Sequence, residues 1–314
     1  MTGGRSSVRA RLRGLARRLV IRARRALERL AGAFGFDLVK RQYYSPIPDV
    51  KALPEDIWER RSALGGVSFD AGRQLRFLEV ELAPFLSEFA PPRHSTGVPG
   101  SFYIENGSYE SVDAELLYAM VRHARPARVI EVGSGFSSLA IGAALAANRN
   151  DGAETNYEII DPHPASGSSQ MGGREALERL ATLREESITD VSLDAFAALG
   201  DGDILFVDST HTVKVGGDVN RIVLDVLPTL APGVLVHFHD VFLPFEYPRE
   251  WFTDEGYYWA EQYLLQAFLE FNETFEVVVA AQLLAVDHAD RLTELIPSAG
   301  PGMYPGALWL RRVR

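Results

Sequence analysis

The chain has 314 residues, no cysteine and a formal net charge of −10 at pH 7. That length buries a full core and suits one large domain or one domain with a small appendage. The missing cysteines exclude disulfides, thiolate metal sites and a thiol nucleophile, no apolar run approaches the length of a membrane span, and the expectation is a cytoplasmic protein with no nucleic-acid partner.

The charge is unevenly spread. Residues 1–42 hold 12 Arg and Lys against Glu28 and Asp37, so this stretch carries +10 and the remainder −20. Leu12, Leu15, Leu19, Ala23, Ala26 and Leu30 recur at helical spacing, with Arg11, Arg18, Arg22, Arg25 and Arg29 largely elsewhere on the wheel. Residues 1–42 are therefore predicted as a basic amphipathic helix. It suits peripheral contact with an anionic membrane face or another polyanion. Docking on the acidic body of the same chain or of a second subunit in a homo-oligomer fits equally, and a transit peptide shares the composition.

Residues 43–100 read as a linker and helical cap region. Tyr43 to Pro54 is rich in proline and aromatics, and Leu75, Leu78, Leu82, Phe85 or Leu86, and Phe89 place a helix over Asp70 to Phe89, closed by Pro91 and Pro92. The Gly-, Pro- and Ser-rich stretch Arg93 to Ser111 is a loop with the length to reach over a ligand.

Residues 101–314 show strands alternating with helices. Asp113 reads as the N-cap of a helix that stops before Pro126. Strands are expected at Arg128–Val132, Tyr157–Ile160, Thr182–Arg184, Ile204–Val207, Val234–Phe238, Phe275–Ala280 and Ala307–Leu310. Helices are expected at Leu139–Ala147, Gly173–Ala181, Val219–Leu227 and Gln262–Phe271. The fold class is α/β: a Rossmann-like, doubly wound, mostly parallel seven-stranded sheet with a helical N-terminal extension.

In such a sheet ligands bind at the carboxyl ends of the strands. The first strand ends in Glu131-Val132-Gly133-Ser134-Gly135 and runs straight into a helix, so glycine lets the turn tighten and the helix amides offer donors. A dinucleotide fingerprint needs a third glycine where Ser138 stands. Asp161 ends the second strand, where a carboxylate can accept from both hydroxyls of a ribose or merely cap the turn beside Pro162. Asp208 and Asp240 end the fourth and fifth strands. If these are neighbours about 5 Å apart, the two carboxylates converge and suit a divalent cation such as Mg²⁺, or else they cap the helices that follow. His211 and His239 travel with them and are candidate general bases; His237 alternates with His239, and Phe238 faces the other way. The aromatic run Phe242 to Trp259 is expected as a packed lid or as a stacking surface for a sugar or aryl acceptor.

The segments Glu131 to Ser138, Ile204 to His211, Gly216 to Asn220, Val236 to Pro244 and Trp259 to Leu265 together resemble class I S-adenosylmethionine-dependent methyltransferases. The likeness is to a bacterial family related to macrocin O-methyltransferase and cephalosporin-hydroxylase-like proteins, and it covers roughly Ser101 to Leu310. It implies a methyltransferase acting on an oxygen nucleophile of a small molecule or glycan. Glu131, Gly133, Ser134, Gly135 and Asp161 would then bind the cofactor. His211, His239 and Asp208 would be catalytic, and Asp208 and Asp240 would be metal ligands. Relatives carry a second acid where this chain has His239, which leaves open a metal-free, histidine-assisted route. An NAD(P)-dependent oxidoreductase and a non-catalytic, membrane-associated binding protein are the rival readings.

Overall fold

The computed structural model describes residues 3–164, 171–300 and 302–314, with the side chains of residues 3–17 outside that set, Leu12 and Leu15 among them. The chain divides into two compact units, Met1–Ala52 and Leu53–Arg314. The first unit is helix α1 (Gly3–Ala33) and a short irregular segment. The helix is shorter than the 42 residues the charge pattern marks out. Gly35, at φ +78°, ends it, as Phe36 N–H donates back to the Ala31 carbonyl at 3.0 Å.

In the second unit, segments Ala71–Phe77, Leu78–Leu82 and Ala83–Glu88 make one helix, α2, with a π-wound middle. Its Asp70 cap accepts from Arg73 N–H at 2.9 Å. Then follow α3 (Asp113–Ala124), β1 (Arg128–Val132), α4 (Phe136–Asn150), β2 (Asn156–Ile160), α5 (Gly173–Leu180), β3 (Thr182–Arg184), α6 (Leu193–Ala197) and β4 (Ile204–Val207). After β4 come α7 (Asp218–Arg221, continued through Ile222–Val226 and Leu227–Thr229), β5 (Leu235–Phe238), α8 (Arg249–Thr253), α9 (Glu261–Leu269), β6 (Phe275–Ala280), α10 (Ala281–Asp287), α11 (Ala289–Leu295) and β7 (Leu308–Arg312).

The seven strands form one sheet in the order β3-β2-β1-β4-β5-β7-β6. All pairs are parallel except β5–β7 and β6–β7. The fold is thus α/β and Rossmann-like. Val129, Ile159, Ile204 and Phe206 pack with α3 and α4 on one face, while Ile130, Leu205 and Val236 pack with α6 and α7 on the other. Burial on both faces explains why β4 reads as an unbroken apolar run, and β1 and β5 are interrupted inside the sheet by a single buried polar residue each, Glu131 and His237. The order reverses between β1 and β4, and this switch point opens a crevice at their carboxyl ends.

One expectation is corrected at α3. The cap position belongs to Val112, and Asp113 is the first helical residue. Its carboxylate instead accepts from Gly306 N–H at 2.8 Å and Ala307 N–H at 3.2 Å, tying α3 to the start of β7.

Candidate active site

A cavity of about 490 Å³ lies at the switch point, lined by Val132, Gly133, Ser134, Ile160, Asp161, Ser187 to Thr189, Asp208 to Thr210 and the Lys214–Asp218 turn. Gly133 sits at φ +92°, and a Cβ there would stand 2.0 Å from the Asp208 carbonyl oxygen. The glycine is demanded by the end of β4 pressing on the turn, before any ligand is considered. Gly135 has extended backbone, and its N–H donates to Ser138 Oγ at 3.1 Å. The residue in place of a third glycine therefore satisfies the turn.

Asp161 lines this cavity. Ser134 Oγ donates to its Oδ2 and His163 N–H to its Oδ1 at 2.7 Å. Asp161 therefore caps the turn, and each of its carboxylate oxygens keeps a second lone pair for a further donor. Glu131 and Gly135 do not line the cavity. Glu131 is fully buried behind the turn, where Ser137 Oγ donates to Oε1 at 2.7 Å and Tyr157 OH donates to Oε2. Burial, partly offset by those hydrogen bonds, pushes its carboxyl up to about 7. Through these bonds Glu131 holds the start of α4 and β2 together behind the turn.

A second cavity, of about 400 Å³, lies on the other side of Asp240. Its walls are Gly107, Ser108, Glu110, Ser111 and Asp113 from the long loop and α3, His239 and Asp240 from the end of β5, and Gly302 to Gly306 before β7. The loop expected to reach over a ligand does line a cavity, but this one. The aromatic run does not: Phe242, Tyr247, Trp251 and Trp259 pack on one another, and Tyr304 is the aromatic side chain facing the space.

Between the two cavities stand the carboxylates and histidines. Asp208 faces the first cavity and Asp240 the second, and His211 Nε2 bridges them at 3.1 and 3.6 Å. His211 Nδ1 meets Glu261 Oε2 at 2.8 Å, and Trp259 covers the ring with centroids 4.3 Å apart. His239 is sandwiched the other way round: Nδ1 lies 3.5 Å from Asp240 Oδ1 and 3.8 Å from Asp208 Oδ2, and Nε2 lies 3.3 Å from Asp113 Oδ2. Burial alone would lower both imidazoles. For His211 the hydrogen bonds to Asp208 and Glu261 win and push it up to about 10. For His239 the charge of Asp240 and the hydrogen bond to Asp113 win and hold it well above its ordinary value. Burial likewise raises Asp208, but the histidines outweigh it and pull that carboxylate down to about 2. His237 belongs to the core: it stacks on Phe206 at 4.5 Å, its Nε2 lies 3.3 Å from Tyr109 OH, and burial keeps it neutral, far below its ordinary value.

Glu261, Asp113 and Tyr109, whose ring lies tilted against His239 with centroids 4.6 Å apart, complete the cluster without having been singled out for it in the sequence. Glu261 lies in the Trp259–Leu265 segment, so position alone marked it, while its partner is 50 residues away. Among the described residues, Asp208, His211 and Asp240 each bring one ligand atom within 4.8 Å of the others. Two carboxylate oxygens and an imidazole nitrogen fit a divalent cation. The imidazole widens the choice beyond Mg²⁺ toward Mn²⁺, Fe²⁺ or Zn²⁺. The first cavity, with its tight turn, helix N-terminus and Asp161, fits a nucleoside-bearing ligand.

Residues 130–241 match a family model described as a methyltransferase domain. A protein of Archaeoglobus fulgidus, described as uncharacterized, is 32% identical over 168 residues, covering 50% of this chain and 71% of that one. The chain belongs to the same family as this archaeal protein and carries a methyltransferase domain. Solved structures similar to this methyltransferase-domain protein include an SAH-bound methyltransferase, PaMTH1, of Podospora anserina (16% identity, 89% of this chain and 100% of that chain, TM-score 0.41). They also include an O-methyltransferase of Bacillus cereus in complex with SAH (12% identity, 78% and 92%, TM-score 0.37). CmcI with Mg and SAM is a third (17% identity, 66% and 73%, TM-score 0.36). Among the described residues no helix is long and apolar enough to cross a membrane.

Proposed function

We propose that this protein is an S-adenosylmethionine-dependent O-methyltransferase acting on a hydroxyl of a small molecule or glycan, of the macrocin O-methyltransferase and cephalosporin-hydroxylase-like kind. The observation that carries the reading is the placement of Asp208 on one cavity and Asp240 on the other, with one imidazole bridging them. A donor in the first cavity and an acceptor in the second would meet across this edge, where an in-line displacement needs its two reactants. S-adenosylmethionine supplies the methyl group on a sulfonium. Asp161 would accept from the ribose hydroxyls, and Ser134 would fix that carboxylate.

On the acceptor side, the division of labour between the histidines follows from what each faces. His239 lines the second cavity and His211 lines neither. His239 is therefore the base, taking the acceptor proton at Nδ1 while Asp113 holds the ring from Nε2. A divalent cation held by Asp208, His211 and Asp240 would supply positive charge that eases loss of the acceptor proton. Glu261 orients His211 as a ligand, the role outer carboxylates commonly play. Trp259 excludes water from that imidazole.

Calorimetry with S-adenosylmethionine, S-adenosylhomocysteine and NAD tests the donor side: the first two bind and NAD does not, and binding of NAD alone overturns the reading. Release of S-adenosylhomocysteine over a panel of glycan and phenolic acceptors, run with EDTA, Mg²⁺ or Mn²⁺, tests the rest. The expected rate is highest with Mn²⁺, and Asp240→Asn removes the difference between metal and EDTA.

A further inference from the structure

The N-terminal unit is not used by the site. Among the described residues it consists of α1 and a tail, with no second α-helix or strand against which an apolar face could be buried within the unit. At 3.6 residues per turn, Leu19, Ala23, Ala26, Leu27 and Leu30 fall on one arc of α1. Arg18, Arg22, Arg25 and Arg29 fall along one border of that arc and Arg24 along the other. Leu19, Leu27 and Leu30 are 62%, 58% and 60% exposed. Gly35 stops the helix, and Phe34 and Phe36 on either side of it are 73% and 68% exposed.

We infer that α1 lies in the plane of an anionic lipid surface, with its leucine arc and the Phe34–Phe36 corner in the acyl boundary and its arginines at the phosphates. Three observations converge on this occupant. The arginines border the arc, where long stems lie along apolar tissue and charged ends reach the headgroups. Bulky aromatics stand at the end of the helix and are left in water by the fold. The charge is also split. Residues 43–314 carry −20 and are repelled by an anionic surface, so only the +10 segment can bring the chain to it, and it would do so by one end. The chief competitor is the acidic body of a second copy. Its carboxylates would satisfy the arginines, but a charged surface gives Leu19, Leu27, Leu30, Phe34 and Phe36 nothing apolar to bury against. The inference is independent of the methyltransferase reading, since it concerns residues outside both cavities.

Co-sedimentation of the full chain with phosphatidylcholine vesicles, with and without 30 mol% phosphatidylglycerol, tests it, with Phe34→Trp as a fluorescent reporter. Binding is expected with the anionic vesicles alone, with a blue shift and brominated-acyl-chain quenching in the difference between the emission of the Phe34→Trp variant and that of the unsubstituted chain, which has four tryptophans of its own. At roughly fivefold per arginine near such a surface, Arg22→Glu, Arg25→Glu and Arg29→Glu combined should lower partitioning more than about a hundredfold. Leu27→Glu with Leu30→Glu should abolish the blue shift even where some electrostatic binding persists. Circular dichroism and the cooperative thermal melt check that each variant is folded. Equal binding to neutral vesicles, no binding to anionic ones, or leucine variants that bind and insert like wild type would each overturn the inference. So would self-association in sedimentation velocity that depends on the leucine arc and occurs without vesicle binding.

Discussion

The two halves of the site are built in different ways. The half at the first cavity rests on main chain, the tight turn after β1 and the end of β4, with Asp161, Asp208, Lys214 and Asp218 as its charged lining. The half at the second cavity is lined by the long loop, α3, the end of β5 and the segment before β7, and between the halves the largely buried charges of Asp208, His211, Asp240, His239, Asp113 and Glu261 close on one another through ion pairs. A half resting on main chain answers chiefly to steric change, and buried charges answer chiefly to pH.

The largest effect should come from forcing a side chain into the backbone-built half. Gly133→Ala puts a Cβ 2.0 Å from the Asp208 carbonyl. We expect a loss of about 3 kcal/mol of stability or more and no detectable S-adenosylmethionine binding by calorimetry; wild-type affinity in this variant would show that the turn has slack. Next, His239→Gln should leave cofactor affinity within a small factor while lowering methyl transfer by about 10²- to 10⁴-fold. Equal losses of affinity and rate would mean the halves are not separable. Third, Asp161→Ala should weaken S-adenosylmethionine binding by about 10- to 100-fold, with little change in turnover at saturating cofactor.

The smallest effect separates the halves by pH. In metal-free protein, His211 is raised to about 10 from an ordinary value near 6.5. Because the folded state binds that proton more tightly than the unfolded chain, the stability it contributes is complete below 6.5 and is lost as the pH climbs through about 10. Thermal melts in EDTA should therefore fall by a few degrees across that window. Glu261→Gln, which removes one of the two carboxylates raising His211, should flatten the fall. His239 is raised as well, and a base must be unprotonated, so the metal-free rate should increase with pH to values above 6.5. A rate that declines over this range would remove His239 as the base.

Much of this molecule was legible in its sequence. Strands alternating with helices marked a mostly parallel sheet, and β1, β3, β4 and β6 begin and end at the residues their patterns indicate. The late strand is misplaced by a residue or two, because its end is set by pairing with β5 and β6 and not by local pattern. Asp161, Asp208, Asp240, His211 and His239 were all readable as candidates, because a parallel sheet gathers strand ends on one edge. Their partners were not. Asp113 has the look of an ordinary helix cap, and its true contacts are 126 and 193 residues away, at His239 and Gly306. Glu131 stands beside the glycines in the sequence, and only the fold shows that its carboxylate meets Tyr157 and Ser137.

The local sequence determined the elements, the edge of the sheet where chemistry gathers and the split between a basic end and an acidic body, since period, turn residues and charge are properties of neighbours in the chain. Tertiary structure decided which carboxylate faces which cavity, which histidine is bridged and which is buried neutral, and that Gly133 answers to β4. Those outcomes depend on desolvation and on charges brought together from distant segments, and no run of adjacent residues encodes them.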